Sequence, residues 1–171
     1  MDWFFDYVSV GTFWTILLLG HALLSVALLG AITHQAAAVL VGGRPKPEEE
    51  GFVRRFSAVR GSAYPTVVCV LWIVTFVVGG WIYTKYRIYV RVPIEEAGYW
   101  KTLGTFDLKE HLTAIGLALL PIYWSLWQES QTALPTSIEN ARKGVTLCLA
   151  GFCWYALLVG HILNNTRGFG V

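Results

Sequence analysis

Apolar residues fill four long stretches of this chain, 11–41, 63–83, 112–127 and 145–163, and most of the charged residues fall between them. A helix rises about 1.5 Å per residue, so roughly 20 apolar residues cross the hydrocarbon core of a bilayer. The third stretch is short for this and crosses only with its flanking residues. Predicted spans are therefore 11–41, 63–83, 108–128 and 144–164. The expected fold is all-α: an integral membrane four-helix bundle in up-down order, one transmembrane domain over 1–171.

The first stretch is longer than a span requires, so its helix is expected to tilt or to project beyond the bilayer. Asp2 and Asp6 precede it, with no Lys or Arg. A secretory signal needs a basic leading region and a short apolar core, so this segment reads as retained.

Composition supports a membrane location and removes several function classes. Of 171 residues, 55% are hydrophobic, and the net charge of +2 gives no basic footprint for nucleic acid. The cysteines Cys69, Cys148 and Cys153 fall within predicted helices, where they serve as small packing residues. No CxxCH motif is present for covalent haem attachment, and no CxxC pair for iron–sulfur or zinc. No Walker loop, GxGxxG, HExxH or serine-nucleophile motif occurs, which leaves hydrolase and nucleotide-dependent readings without support.

Even-numbered spans put both termini and the 84–110 segment on one face, called A, and the 42–62 and 128–144 connections on the other, B. Face B carries Arg44, Lys46, Arg54, Arg55, Arg60, Arg142 and Lys143; face A carries Lys85, Arg87, Arg91, Lys101, Lys109 and Arg167. The positive-inside rule, helped by the acidic N-terminus, makes B cytoplasmic. In a bacterial inner membrane both termini would then be periplasmic. Aromatic residues near span ends, among them Trp14, Trp81, Trp124 and Trp127, read as interfacial belts.

Two connecting segments have patterns of their own. Residues 86–92 alternate weakly and Pro93 ends the alternation, which predicts either a short strand or an extended segment at headgroup level. Residues 45–60 resemble a short amphipathic interfacial helix. Pro121 is expected to bend the third long helix.

The candidate chemistry lies in four histidines, His21, His34, His111 and His161, all inside or at the ends of apolar stretches. An imidazole in a bilayer needs a partner and is by default a candidate ligand or proton-transfer group. His111 opens the third helix and His161 nearly closes the fourth, so both lie near face A on antiparallel neighbours. Such a pair suits bis-histidine ligation of one haem iron, and Arg91 and Arg167 are cations on that face for the propionates. Glu110 can accept an imidazole N–H.

His21 lies in the same half of the first helix, as a ligand or as a partner to one. His34 is about 20 Å further along and roughly 140° around that helix, with no histidine at its depth. All four remain candidate metal ligands, and each has a plainer reading as a hydrogen-bonded structural residue.

This layout, with His111 and His161 placed as they are, resembles the small membrane-anchored b-type cytochromes that serve as subunits of respiratory oxidoreductases. The resemblance implies an electron-transfer subunit rather than an independent enzyme, with one haem b per chain. It implies other membrane subunits of a respiratory or photosynthetic redox complex as partners, and a soluble or membrane cytochrome on face A. Quinone is a conceivable acceptor that no residue pattern marks. Two readings of other classes stay open: a copper, zinc or iron site held directly by His21, His111 and His161, and a non-catalytic assembly or haem-handling subunit.

An even number of spans has a direct consequence. Cysteines placed at Asp2 and at Val171 are expected to react with an impermeant thiol reagent from the same side of the membrane, and labelling from opposite sides would exclude the layout.

Overall fold

A computed structural model describes residues 9–41, 51–52, 63–128 and 135–166. Its long helices are α1 (Val10–Val41), α2 (Ala63–Tyr86), α4 (Trp100–Gln128) and α5 (Thr136–Thr166), with a short α3 (Val92–Glu96) between α2 and α4. Residues 45–60, apart from Gly51 and Phe52, lie outside the described residues, as does Arg167.

The protein is all-α, and the four long helices close into a ring: α1 packs on α2 and α5, and α4 packs on α2 and α5. Neighbours run antiparallel. In the pair α2 and α4, Trp72 meets Thr113 while Thr66 meets Trp124. In α4 and α5, Thr105 meets Tyr155 while Trp127 meets Thr146. These pairings fix the up-down order expected from the short connections.

Among the described residues, three helical runs are long and apolar enough to cross a membrane: α1, α5 and the run Ala63–Glu96. They point to an integral multi-pass membrane protein. α4 is of similar length, but its first half carries Lys101, Asp107, Lys109 and Glu110, which lowers its apolar character.

Residues 86–92 form neither a strand nor an extended segment. The helix continues through a π-helical turn, Arg87–Arg91, into α3. Tyr86, Val90 and Ile94 are the positions it buries, a spacing of four that belongs to one helical face. Continued helix satisfies the backbone without water. Pro93, which has no N–H to donate, falls in the first turn of α3, where the absent donor is least costly. The chain then reverses at Gly98, whose φ of 76° suits glycine. The Gly98 N–H bonds the Glu95 carbonyl and the Tyr99 N–H bonds the Ile94 carbonyl, a paired closure that ends α3 and releases the chain into α4. At the other end of the chain, the Ser9 hydroxyl caps α1 by accepting the Thr12 N–H at 3.1 Å.

Among the described residues the interior has two apolar regions. The larger joins Leu28, Leu29 and Ile32 of α1 to Val68, Trp72, Leu120, Tyr123, Trp127, Leu149 and Cys153. The smaller, toward face A, joins Tyr86, Val90 and Ile94 to Leu103, Phe106 and Leu163. Cys153 and Cys69 pack as expected, whereas Cys148 faces outward.

Aromatic donors join every adjacent helix pair. Tyr64 donates to the Ala31 carbonyl (α2 to α1), Trp124 to the Thr66 hydroxyl (α4 to α2), Trp127 to the Thr146 hydroxyl (α4 to α5) and Trp154 to the Thr33 hydroxyl (α5 to α1), all within 2.9–3.2 Å. Trp124 and Trp127, expected only as interfacial anchors, thus also link helices.

Trp72 packs against Gly116, where a Cβ would overlap the indole Cζ2, and its N–H reaches the Thr113 carbonyl at 3.3 Å. Gly116→Ala is therefore expected to displace the indole and cost about 1–3 kcal/mol in detergent unfolding. Gly104→Ala, with open space around its Cβ position, should stay within about 1 kcal/mol of the parent. Equal stability of the two variants would contradict this packing.

Candidate functional site

The bundle turns the four histidines in different directions. His21 is half-buried between α1 and α2, with its ring edge against Gly79; a Cβ there would stand 2.8 Å from the imidazole Cε1. Its Nδ1 is buried. The ring hydrogen-bonds the backbone of Thr75, and Lys109 of α4 acts on it electrostatically.

His111 projects from the outer face of α4. Its ring is exposed, and its neighbours one to three turns away on that face, Leu108, Ile115 and Ile122, are exposed as well. Nδ1 stands 2.6 Å from the Asp107 carbonyl, which can only accept, so Nδ1 is the donor in this contact. The Asp107 carboxylate receives both arms of the Arg91 guanidinium, at 2.9 and 3.4 Å. This ties the π-helical turn to α4 one turn before His111. Lys109 pairs with Glu110 at 2.9 Å.

His161 is also exposed, and its Nε2 faces the Asn165 amide at 3.0 Å. It lies seven residues beyond Trp154, close to two full turns, and so shares the side of α5 from which Trp154 reaches Thr33 of α1. The side of α5 turned to α4 carries Tyr155, which bonds Thr105. His111 and His161 are thus near the same end of adjacent helices without sharing a face. The contact between α4 and α5 at this level is filled by Leu103, Phe106 and Leu163. His34 is at the opposite end, its ring stacked on Tyr64 with centroids 6.3 Å apart. Among the described residues, no three His, Cys, Asp or Glu side chains converge as a metal site would require.

A second polar centre has no counterpart in the sequence-based expectations. Gln35 and Tyr123 are both fully inaccessible, at 0% exposure, and the Tyr123 hydroxyl donates to Gln35 Oε1 across the diagonal of the bundle, from α4 to α1. Beyond it, Arg142 is buried with its guanidinium 5.4 Å from the centre of the Trp127 ring. No signal in the sequence marked it: apolar residues surround α1 almost evenly, and only the fold shows that Gln35, seven residues after Leu28 and three after Ile32, lies on the buried stripe.

Fold and geometry together define the chain as an all-α bundle with three membrane-length apolar helices, an exposed imidazole on α4 and a half-buried one between α1 and α2. No protein-family model matches it, and no curated protein or solved structure gives a significant match.

The contrast between exposed rings and the buried Gln35–Tyr123 bond predicts a stability pattern. His111→Ala and His161→Ala are expected to change unfolding free energy by no more than about 0.5 kcal/mol, since neither ring packs in the interior. Tyr123→Phe leaves a buried amide oxygen without its donor and should cost about 1–3 kcal/mol, with the Gln35→Leu/Tyr123→Phe double variant costing less than the sum of the two. Strictly additive losses would argue against the bond.

Proposed function

We propose that this chain is a membrane electron-transfer subunit of a larger respiratory or photosynthetic redox complex, and that it holds one b-type haem through His111. The observation that carries this reading is the setting of that ring: it is exposed on α4, and Nδ1 is committed to the Asp107 carbonyl, which leaves Nε2 as the nitrogen for a ligand bond. A histidine oriented by its own helix backbone is suited to axial ligation. When bound, the haem iron supplies the one-electron chemistry, while the protein supplies an axial nitrogen and a surrounding that tunes the potential.

The packed contact between α4 and α5 favours a porphyrin on the outer surface of α4, against a neighbouring membrane subunit that furnishes the second nitrogen. His161 and His21 are the in-chain alternatives for that role. Arg91 is already paired with Asp107, so its contribution to holding a propionate is secondary. Four crossings, with α4 among them and both termini on the periplasmic side of a bacterial inner membrane, accompany this reading. α4 keeps partners on α2 and α5 along its whole length, from Thr105 to Trp127, which supports a common depth.

The test is the absorption spectrum of the protein solubilised from its native membrane together with its partners. A reduced b-type band that is lost, or shifted to a high-spin form, in His111→Ala and kept in His161→Ala and His21→Ala is the expected result. An unchanged low-spin spectrum in His111→Ala removes this site. Bound metal without porphyrin would turn the assignment to a direct histidine metal centre, and the absence of both would favour an assembly or haem-handling subunit.

A further inference from the structure

The outward face of α2 changes character with depth in the same order as a phospholipid does. Val74, Val77 and Trp81 follow one another at helical spacing, exposed and uncharged. Just beyond them come Lys85 and Arg87, with the exposed side chains of Ile88 and Tyr89 alongside. The Lys85 ammonium stands 5.4 Å from the centre of the Trp14 ring of α1 and 5.6 Å from that of Tyr89, so aromatic rings of two helices hold its charge in place. About 20 residues, each rising about 1.5 Å, cross the hydrocarbon, which carries α2 from Ala63 on face B to Tyr83 on face A. Residues 84–89 then come at the depth of the headgroups. The whole run Ala63–Glu96 has 34 residues, about 51 Å of helix against the roughly 40–45 Å of a bilayer with its headgroups, so Glu95 and Glu96 stand clear of that layer.

We propose that the outward face of residues 74–88 is a binding surface for an acidic phospholipid of the face A leaflet, with acyl chains along Val74, Val77 and Trp81 and the phosphate at Lys85 and Arg87. Charge selects the occupant. Lys85 and Arg87 are the only charged residues from 74 to 89, so this face is cationic at headgroup depth. Arg91 adds nothing, because both its arms are on Asp107, and the nearest carboxylates along the chain, Glu95 and Glu96, are two turns further out. A zwitterionic headgroup sets its own amine against its phosphate, whereas an acidic one brings net negative charge to the two cations. The apolar part agrees: a tryptophan at the boundary with long basic side chains one turn above it covers hydrocarbon with its stems and rings and reaches the headgroups with its polar ends. A soluble protein would meet only the elbow above the headgroups, while a lipid touches the valines and the cations together. The surface depends on the membrane location of α2 and is independent of any haem at His111.

The experiment titrates the full chain in a nondenaturing detergent with phosphatidylglycerol or with phosphatidylcholine of matched acyl chains, and counts bound lipids by native mass spectrometry. The first phosphatidylglycerol is expected to bind roughly tenfold or more tightly than the first phosphatidylcholine, since each cation near an acidic headgroup contributes about fivefold. Lys85→Gln and Arg87→Gln should each lower that preference about fivefold, and together bring it within about twofold of none, while Arg87→Lys keeps it. Lys101→Gln removes an exposed cation at the start of α4, beyond the headgroups, and should leave the preference unchanged. Equal affinity for the two lipids in the parent chain, a preference that survives the double variant, or one that falls as far in Lys101→Gln overturns the proposal. A copurifying protein that is lost in the Lys85→Gln/Arg87→Gln variant would assign the face to a protein partner and overturns it as well.

Discussion

Helices surrounded by lipid gain little from burying apolar side chains against one another, because the hydrocarbon is as apolar as the partner. What distinguishes one packing from another in this bundle is a set of hydrogen bonds running from aromatic N–H and O–H groups to threonine hydroxyls and backbone carbonyls across every helix interface. Each contributes modestly, about 0.6 kcal/mol on average for interhelical bonds in membranes. Their directionality does more than their strength: an indole reaches its acceptor in only one register, so together the bonds fix depth and rotation of all four long helices. The Tyr123–Gln35 bond ties the diagonal that the ring of neighbours leaves open.

Close approach follows from the same register. Where Trp72 must reach Thr113, α4 offers Gly116, and where His21 enters the α1–α2 contact, α2 offers Gly79. Toward face A, the π-helical turn and the reversal at Gly98 bring the Tyr86, Val90 and Ile94 stripe over Leu103 and Phe106, with Tyr86 stacked on Phe106 at 4.2 Å between ring centres. The Arg91–Asp107 pair fastens this elbow to α4 beside the residue whose carbonyl orients His111. At the surface such a pair is worth little in stability, and its value here is in fixing geometry.

Depth along the bundle was a sound guide to which histidines share an end, and it was an incomplete guide to which can act together. His111 and His161 are near the same end, yet one projects from the outer face of α4 and the other from the α1 side of α5. His21, read from the sequence as a ligand or a partner to one, lies against Gly79 in the α1–α2 contact with its ring hydrogen-bonded to the Thr75 backbone. The aromatic residues show the same division. Their positions near span ends were plain in the sequence, whereas their use as donors between helices depended on acceptors dozens of residues away.

Sequence alone determined the all-α class, the long apolar helices and their antiparallel order. A run of apolar residues of bilayer length has one way to satisfy its backbone in hydrocarbon, and short connections leave neighbours antiparallel. Helix ends were less legible, as the extension of α4 back to Trp100 and of α5 back to Thr136 shows, because charged residues there are compatible with either helix or loop. The tertiary structure decided the rotation of each helix about its axis. With the apolar residues spread almost evenly around α1 and α2, no amphipathic stripe in the sequence announced which side would face inward, and that choice was made by where the indoles and tyrosines found their acceptors. It is this rotation that left His111 facing outward, enclosed Gln35, and set His21 beside Thr75.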